Sequence, residues 1–353
     1  MATVDLLVIT TGVAVTSLAL LFDYTNGFND SGSIVAAMIS SGAMSLRQAL
    51  VMAACFEFVG AYFLGTAVAE MIGKGIVELA TLTAAAIAAA LVGAIAWNYM
   101  AWYLGLPASS SHALIGGLLG ASLMASGTRT VYWWNVSAVY LVLIISPLIG
   151  FAISYVLTKA HLFLFQRVPP SQANRAFNRL QVFSSVALAL SHGTNDAQKT
   201  MAIITMVLTL LYPLAPATVA PFYTPTGSDA FAIPRWVTVT CASVLSLGVA
   251  TGGLRILRTL GTGFYRIRPL HGFTSLSSAA AVIYGASLLG FPVSTTQISS
   301  SSILGAGAAQ RVNAVRWGTV AHMVAAWIVT IPASAIVAAA CEPLLSRLIP
   351  VGP

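Results

Sequence analysis

LLFDYTNGFNDSGSIVAAMISSG, running from Leu20 to Gly42, decides how the whole chain is read. Asp23, Asn26, Asn29 and Asp30 interrupt two apolar runs that would otherwise form one continuous membrane span. A carboxylate at the centre of a bilayer costs about 2.5–3.5 kcal/mol even on a lenient insertion scale. Four polar residues in that position therefore need a structural or chemical reason.

The surroundings are oily throughout. The chain has 353 residues, of which 58% are hydrophobic and 7% charged, with a mean hydropathy of +0.88. Soluble domains carry roughly 25% charged residues, so the composition excludes a soluble enzyme or binding module. Leu79–Thr128, Thr130–Thr158, Leu270–Gln310 and Trp317–Cys341 contain no Asp, Glu, Lys or Arg. About 20 apolar residues cross a bilayer as a helix, and the alternation of barrel strands is absent. The expected class is an all-α polytopic membrane protein, multi-pass in the plasma membrane. The +7 net charge fits the positive-inside bias of cytoplasmic loops better than nucleic-acid binding. Its two foci are Lys159, Arg167, Arg175 and Arg179, then Arg255, Arg258, Arg266 and Arg268. Cys55, Cys241 and Cys341 stand singly and read as small core residues, with neither disulfide nor zinc spacing. The first apolar segment lacks a basic leader region and reads as a retained helix.

The opening motif recurs. GFND at Gly27–Asp30 returns as GTND at Gly193–Asp196, 166 residues later. LGLPASSSHALIGGLLGASL from Leu104 returns as LGFPVSTTQISSSSILGAGA from Leu289, 185 later, with seven identities in twenty positions. The offset grows by 185 − 166 = 19 residues, an insertion best placed in the proline-rich Pro213–Pro234 stretch. The chain is thus a duplication: a first membrane repeat over 1–158, a basic cytoplasmic linker over 159–180 and a second repeat over 181–353. Weakly similar halves are the mark of secondary transporters, in which repeats of inverted topology contain broken and re-entrant helices.

Two devices follow. Pro107 and Pro292 suit the first turn of a helix. The runs Ser109, Ser110, Ser111 and Ser294, Thr295, Thr296 add hydroxyls to free N–H groups at the positive end of the dipole. That is an anion site, and two inverted copies would converge near the midplane. The Asn29–Asp30 and Asn195–Asp196 pairs, each with a glycine two residues before the carboxamide, read as broken-helix sites for a hard cation. Na+ at Asp30 and Asp196, or a proton, fits those oxygen ligands. Bringing an oxyanion into low dielectric needs co-bound positive charge, so symport follows from the pairing. Lys199 is placed to pair with Asp196 or to approach the anion, and the local salt bridge is the preferred reading. Glu57 is a proton carrier or a structural partner, and His112 is matched by Gln297 in the second half. Arg47 and Glu70 read as the two ends of one helix, and Gly116, Gly120, Gly305 and Gly307 as close-packing positions. Ser109 and His112 form no nucleophile–base pair that the sequence reveals, so the chain reads as no enzyme and needs no organic cofactor. An intramembrane enzyme and a passive channel are the competing classes.

With these motifs assembled, the sequence resembles the inorganic phosphate transporter (PiT) family of phosphate permeases. The duplicated G-x-N-D signature carries the likeness, together with the segment from Gly252 to Gln297. The resemblance implies phosphate uptake coupled to Na+ or protons, inverted repeats and a homodimer. It implies ion sites at the Asn-Asp pairs and phosphate sites at the Ser/Thr runs, with sulfate as the alternative cargo within the superfamily. The chain departs from the family pattern at Ser31, Gly32 and Ser33, where a second carboxamide is usual, and at Gln297, where a histidine is usual.

Overall fold

A computed structural model describes residues 2–225, 231–252, 265 and 267–349. Among these residues the first half contains α1 (Ala2–Ser41), α2 (Leu46–Phe63), α3 (Ala67–Gly75), α4 (Ala84–Leu104), α5 (Ser110–Ser126) and α6 (Trp133–Leu164). The second contains α7 (Pro170–Leu211), a short α8 (Pro216–Val219), α9 (Arg235–Thr251), α10 (Pro269–Leu288), α11 (Thr295–Gln310) and α12 (Trp317–Leu348). Five of them, α1, α2, α4, α6 and α12, are long and apolar enough to cross a membrane.

The duplication is visible element by element. α4 and α10 start 185 residues apart, as do α5 and α11, and α6 and α12 are both 32 residues long with a proline inside. The connection from Ser41 to Leu46 advances 5 residues and that from Leu211 to Arg235 advances 24. The difference, 24 − 5 = 19, puts the insertion where the prolines cluster. Packing follows the same exchange. α5 lies on α12 as α11 lies on α6, α4 on α12 as α10 on α6, and α1 on α9 as α7 on α2.

The two longest helices give the relative orientation. Thr200 bonds Asp23, Asn26 bonds Asp196, and Ser41 bonds Gln181. The paired residue numbers rise along α1 as they fall along α7, so these two repeat-related helices run antiparallel. Two apolar clusters enclose a polar band. One takes Val8–Phe22 of α1 with Ala197–Leu211 of α7; the other takes Ile34–Met38 with Leu188 and Ala189. The polar motifs occupy the stretch between them.

Several expectations change. α1 and α7 run unbroken through both Asn-Asp motifs. The motif glycines provide close helix crossings, not a flexible break. A Cβ at Gly27 would stand 2.3 Å from the Leu245 carbonyl oxygen, and one at Gly193 would stand 2.2 Å from that of Glu57. Gly248 meets the Tyr24 carbonyl and Gly60 the Leu190 carbonyl in the same way, which completes both crossings. Gly116, Gly120 and Gly305 do pack against backbone of the facing helix, and Gly307 packs against the Tyr265 ring. The interruptions fall instead between α4 and α5 and between α10 and α11, where Gly105 (φ 67°) and Gly290 (φ 76°) turn the chain in left-handed geometry. Pro107 and Pro292 sit two residues before the capping Ser109 and Ser294, outside the first helical turn. Arg47 lies on α2 and Glu70 on α3, so they do not bound one helix. Of the three cysteines only Cys241 is buried, and Cys55 is exposed. Lys159, Arg167, Arg175 and Arg179 are exposed where α6 ends and α7 begins, as is Arg268. Arg255, Arg258 and Arg266 lie outside the described residues.

Candidate functional site at the centre of the two repeats

The carboxylates of the two motifs form one centre, not two separate sites. Asp30, Asp196 and His192 each present a ligand atom within 4.8 Å of the others, and all three are buried. The His192 Nε2 stands 3.5 Å from both Asp30 Oδ2 and Asp196 Oδ2, while its Nδ1 stands 2.6 Å from Glu57 Oε1. Lys199 Nζ donates to Asp196 Oδ1 at 2.7 Å and to the Val293 carbonyl at 3.4 Å. The local pair expected at Lys199 is therefore present. Asn26 Nδ2 donates to Asp196 Oδ2 at 3.2 Å.

The start of α11 closes over this centre. Thr295 Oγ1 lies 3.3 Å from Asp30 Oδ2 and 3.3 Å from Asp196 Oδ2, and Thr296 donates to Asp30 Oδ1. The positive end of a helix favours negative charge within its first turn, so α11 helps to hold two carboxylates in the interior. Thr295 and Thr296 thus face the carboxylates directly, a closer coupling of the two devices than their spacing in sequence suggests.

The two helix starts meet. Ser109 Oγ caps α5 by accepting from His112 N at 3.1 Å, and Ser294 Oγ caps α11 by accepting from Gln297 N at 3.3 Å. Ser111 Oγ donates to the Val293 carbonyl at 2.7 Å across the gap. His112 Nδ1 lies 2.6 Å from Ser109 Oγ and 3.5 Å from Gln297 Nε2. With Gln297 as donor, Nδ1 is the acceptor for both. A Ser109–His112 contact does exist, because a capping turn brings residues i and i+3 together; no carboxylate bonds His112 among the described residues. Ser110 is buried, and its hydroxyl bonds no protein group among the described residues. It remains, with the first free N–H groups of α5, a donor set for an anion.

The carboxamides of the motifs turn away from the carboxylates. Asn29 Nδ2 donates to the Asn98 carbonyl on α4 at 3.0 Å. Asn195 Nδ2 donates to Ser287 Oγ on α10 and to the Phe291 carbonyl, and its Oδ1 accepts from Val293 N. Each therefore ties its long helix to the α4 or α10 scaffold, and Asn195 also fixes the segment leading into α11. Four residues in or beside the centre are absent from the expected site set: His192, Asn26 and the Asp23–Thr200 pair. The usable signal was register. Asn26 and His192 are 166 apart, so they are equivalent positions of the repeat. Both sit on one helical face with the aspartate four residues later.

Half-helices that start within the protein and meet at a buried charge centre between two antiparallel long helices are an arrangement of membrane transporters. The chain belongs to the phosphate transporter family, whose model matches residues 26–338. It is 39% identical to a Bacillus subtilis protein described as "Probable low-affinity inorganic phosphate transporter", covering 98% of this chain and 99% of that one. It is also 39% identical to a Rhizobium meliloti protein of the same description, covering 93% and 95%. Its fold matches a solved structure titled "The sodium-dependent phosphate transporter" with TM-score 0.82 at 23% identity, over 96% of this chain and 100% of that one.

Proposed function

We propose that this protein takes up inorganic phosphate together with a coupling cation, Na+ or a proton. The observation that carries the reading is the meeting of the α5 and α11 starts beside the Asp30–His192–Asp196 centre. An anion held at Ser110 and the free N–H groups of these helices would lie beside carboxylates, which repel it unless positive charge is bound too. Anion and cation then enter as a pair. Ser109, Ser111, Ser294, Thr295 and Thr296 shape the anion pocket, Asp30 and Asp196 take the cation, and Asn29 and Asn195 hold the frame. His112 and Gln297 set the distance between the helix starts. The carboxylates also favour phosphate over sulfate, because phosphate near neutral pH retains a proton to donate and sulfate does not. The likeness in fold to a sodium-dependent phosphate transporter agrees with Na+ as the cation, whereas His192, Glu57 and Lys199 supply groups suited to a proton. We place the protein in the plasma membrane as a homodimer, with 159–180 on the cytoplasmic side.

Proteoliposomes loaded with a Na+ or a pH gradient test this directly. Labelled phosphate should accumulate under one gradient and not in its absence, and excess sulfate should compete poorly. The double variant Ser110→Ala, Thr295→Ala should remove uptake while the protein remains folded. Uptake that ignores both gradients would eliminate the coupling, and full uptake by the double variant would eliminate the anion site.

A further inference from the structure

We propose that Asp23, Asn26 and Thr200 form a second site, distinct from the Asp30–His192–Asp196 centre, for a small monovalent cation of the Na+ class. Asp23 and Asn26 are both 0% exposed. Among the described residues, Asp23 Oδ2 and Asn26 Oδ1 have no hydrogen-bond partner. The two residues are three apart on α1, so their side chains are neighbours on one face. Thr200 donates to Asp23 Oδ1 at 2.8 Å, which leaves its hydroxyl lone pairs free. The Asn26 amide group is already committed to Asp196 at 3.2 Å, so its oxygen points away from that carboxylate.

Charge decides what the site takes. Among the described residues no basic side chain pairs with Asp23. Lys199 is bound to Asp196 and to the Val293 carbonyl, and His192 stands between Asp30, Asp196 and Glu57. A buried carboxylate with an unpartnered oxygen, next to an unpartnered carbonyl oxygen, costs several kcal/mol unless a positive ligand joins them. Carboxylate, carboxamide and hydroxyl oxygens suit a hard cation, and a single formal negative charge matches a monovalent one. The second repeat has no counterpart, because Ala189 and His192 occupy the equivalent positions. Its carboxylate and carboxamide therefore come from the first half only, with Thr200 reaching them from α7.

The test uses the purified full-length protein without phosphate, so its outcome does not depend on whether the protein transports phosphate. Saturable binding of labelled Na+ is measured against choline at constant ionic strength. Wild type and Asp30→Asn should both retain a saturable Na+ site, and Asp23→Asn, Asp30→Asn together should retain none. Thr200→Val, which keeps the side-chain volume, should weaken binding roughly tenfold in the Asp30→Asn background. The proposal is overturned if wild type binds no Na+, if Asp30→Asn alone abolishes binding, or if binding survives undiminished in the double variant. A proton on Asp23 donating to Asn26 would give the second of these results. Should the double variant fail to fold, unchanged Na+ affinity in Thr200→Val would overturn it equally.

Discussion

The two repeats share a frame and differ in what they carry on it. At one crossing, Gly193 and Gly60 let α7 and α2 touch; at the other, Gly27 and Gly248 do the same for α1 and α9. Glu57 and Leu245 supply the facing carbonyls, so an acid in one crossing is replaced by a leucine in the other. His192 answers to Asn26, Lys199 to Ser33, and Ala189 to Asp23. Backbone geometry has been kept in duplicate while the charges have diverged. The basic side chains of the centre, Lys199 and His192, both come from α7, whereas the extra carboxylate Asp23 comes from α1.

Three experiments press on that contrast. The largest effect is expected at Lys199. Removing one member of a buried ion pair costs about 3–5 kcal/mol, so Lys199→Met should lower unfolding stability in detergent by that amount. Its counterpart Ser33 donates only to the Asp30 carbonyl at 2.8 Å, and Ser33→Ala should cost about 1 kcal/mol. Equal losses would mean that the ion pair contributes nothing beyond an ordinary helix contact. Next come the crossings, where Gly27→Ala and Gly193→Ala force a methyl against backbone oxygen. Overpacking costs about 1–3 kcal/mol, and the two variants should melt alike if the frame is truly duplicated. A marked inequality would show that only one crossing bears the load. The smallest effect is at the caps. Ser109→Ala and Ser294→Ala should each cost about 0.5–2 kcal/mol. Ser109 should be the worse because it also holds the His112 ring, and the reverse order in thermal melts would separate that contact from stability.

Much of the frame could be read from residues alone. Sequence offset located the repeat, the 19-residue insertion and the paired Ser/Thr starts, because duplication is preserved in spacing even where identity fades. Lys199 was paired correctly with Asp196, since i and i+3 on a helix are neighbours. The continuity of α1 and α7 was not legible. Gly, Asn and Asp together resemble a helix breaker, and only the carbonyls of α9 and α2 reveal that the glycines make room for another helix. His192 was hidden for a related reason. Only Asp196, four residues on, is a local partner of this histidine, and the other two carboxylates, Asp30 and Glu57, arrive from α1 and α2. The merging of two Asn-Asp motifs into one centre likewise depends on antiparallel docking, which no local pattern encodes.

The uninterrupted course of α1 and α7 has a mechanical consequence. At 1.5 Å per residue, helices of 40 and 42 residues are rods of about 60 Å, twice the roughly 30 Å hydrocarbon thickness. Asp30 and Asp196 are fixed to their shafts with no hinge at the motif. Sharp bends need proline, a π-bulge or paired small residues at the bend, and the motif glycines are held inside crossings. Opening to either side must therefore come from tilting whole shafts or from sliding the short α5 and α11 wedges. The charge centre would ride as a fulcrum, not as a door.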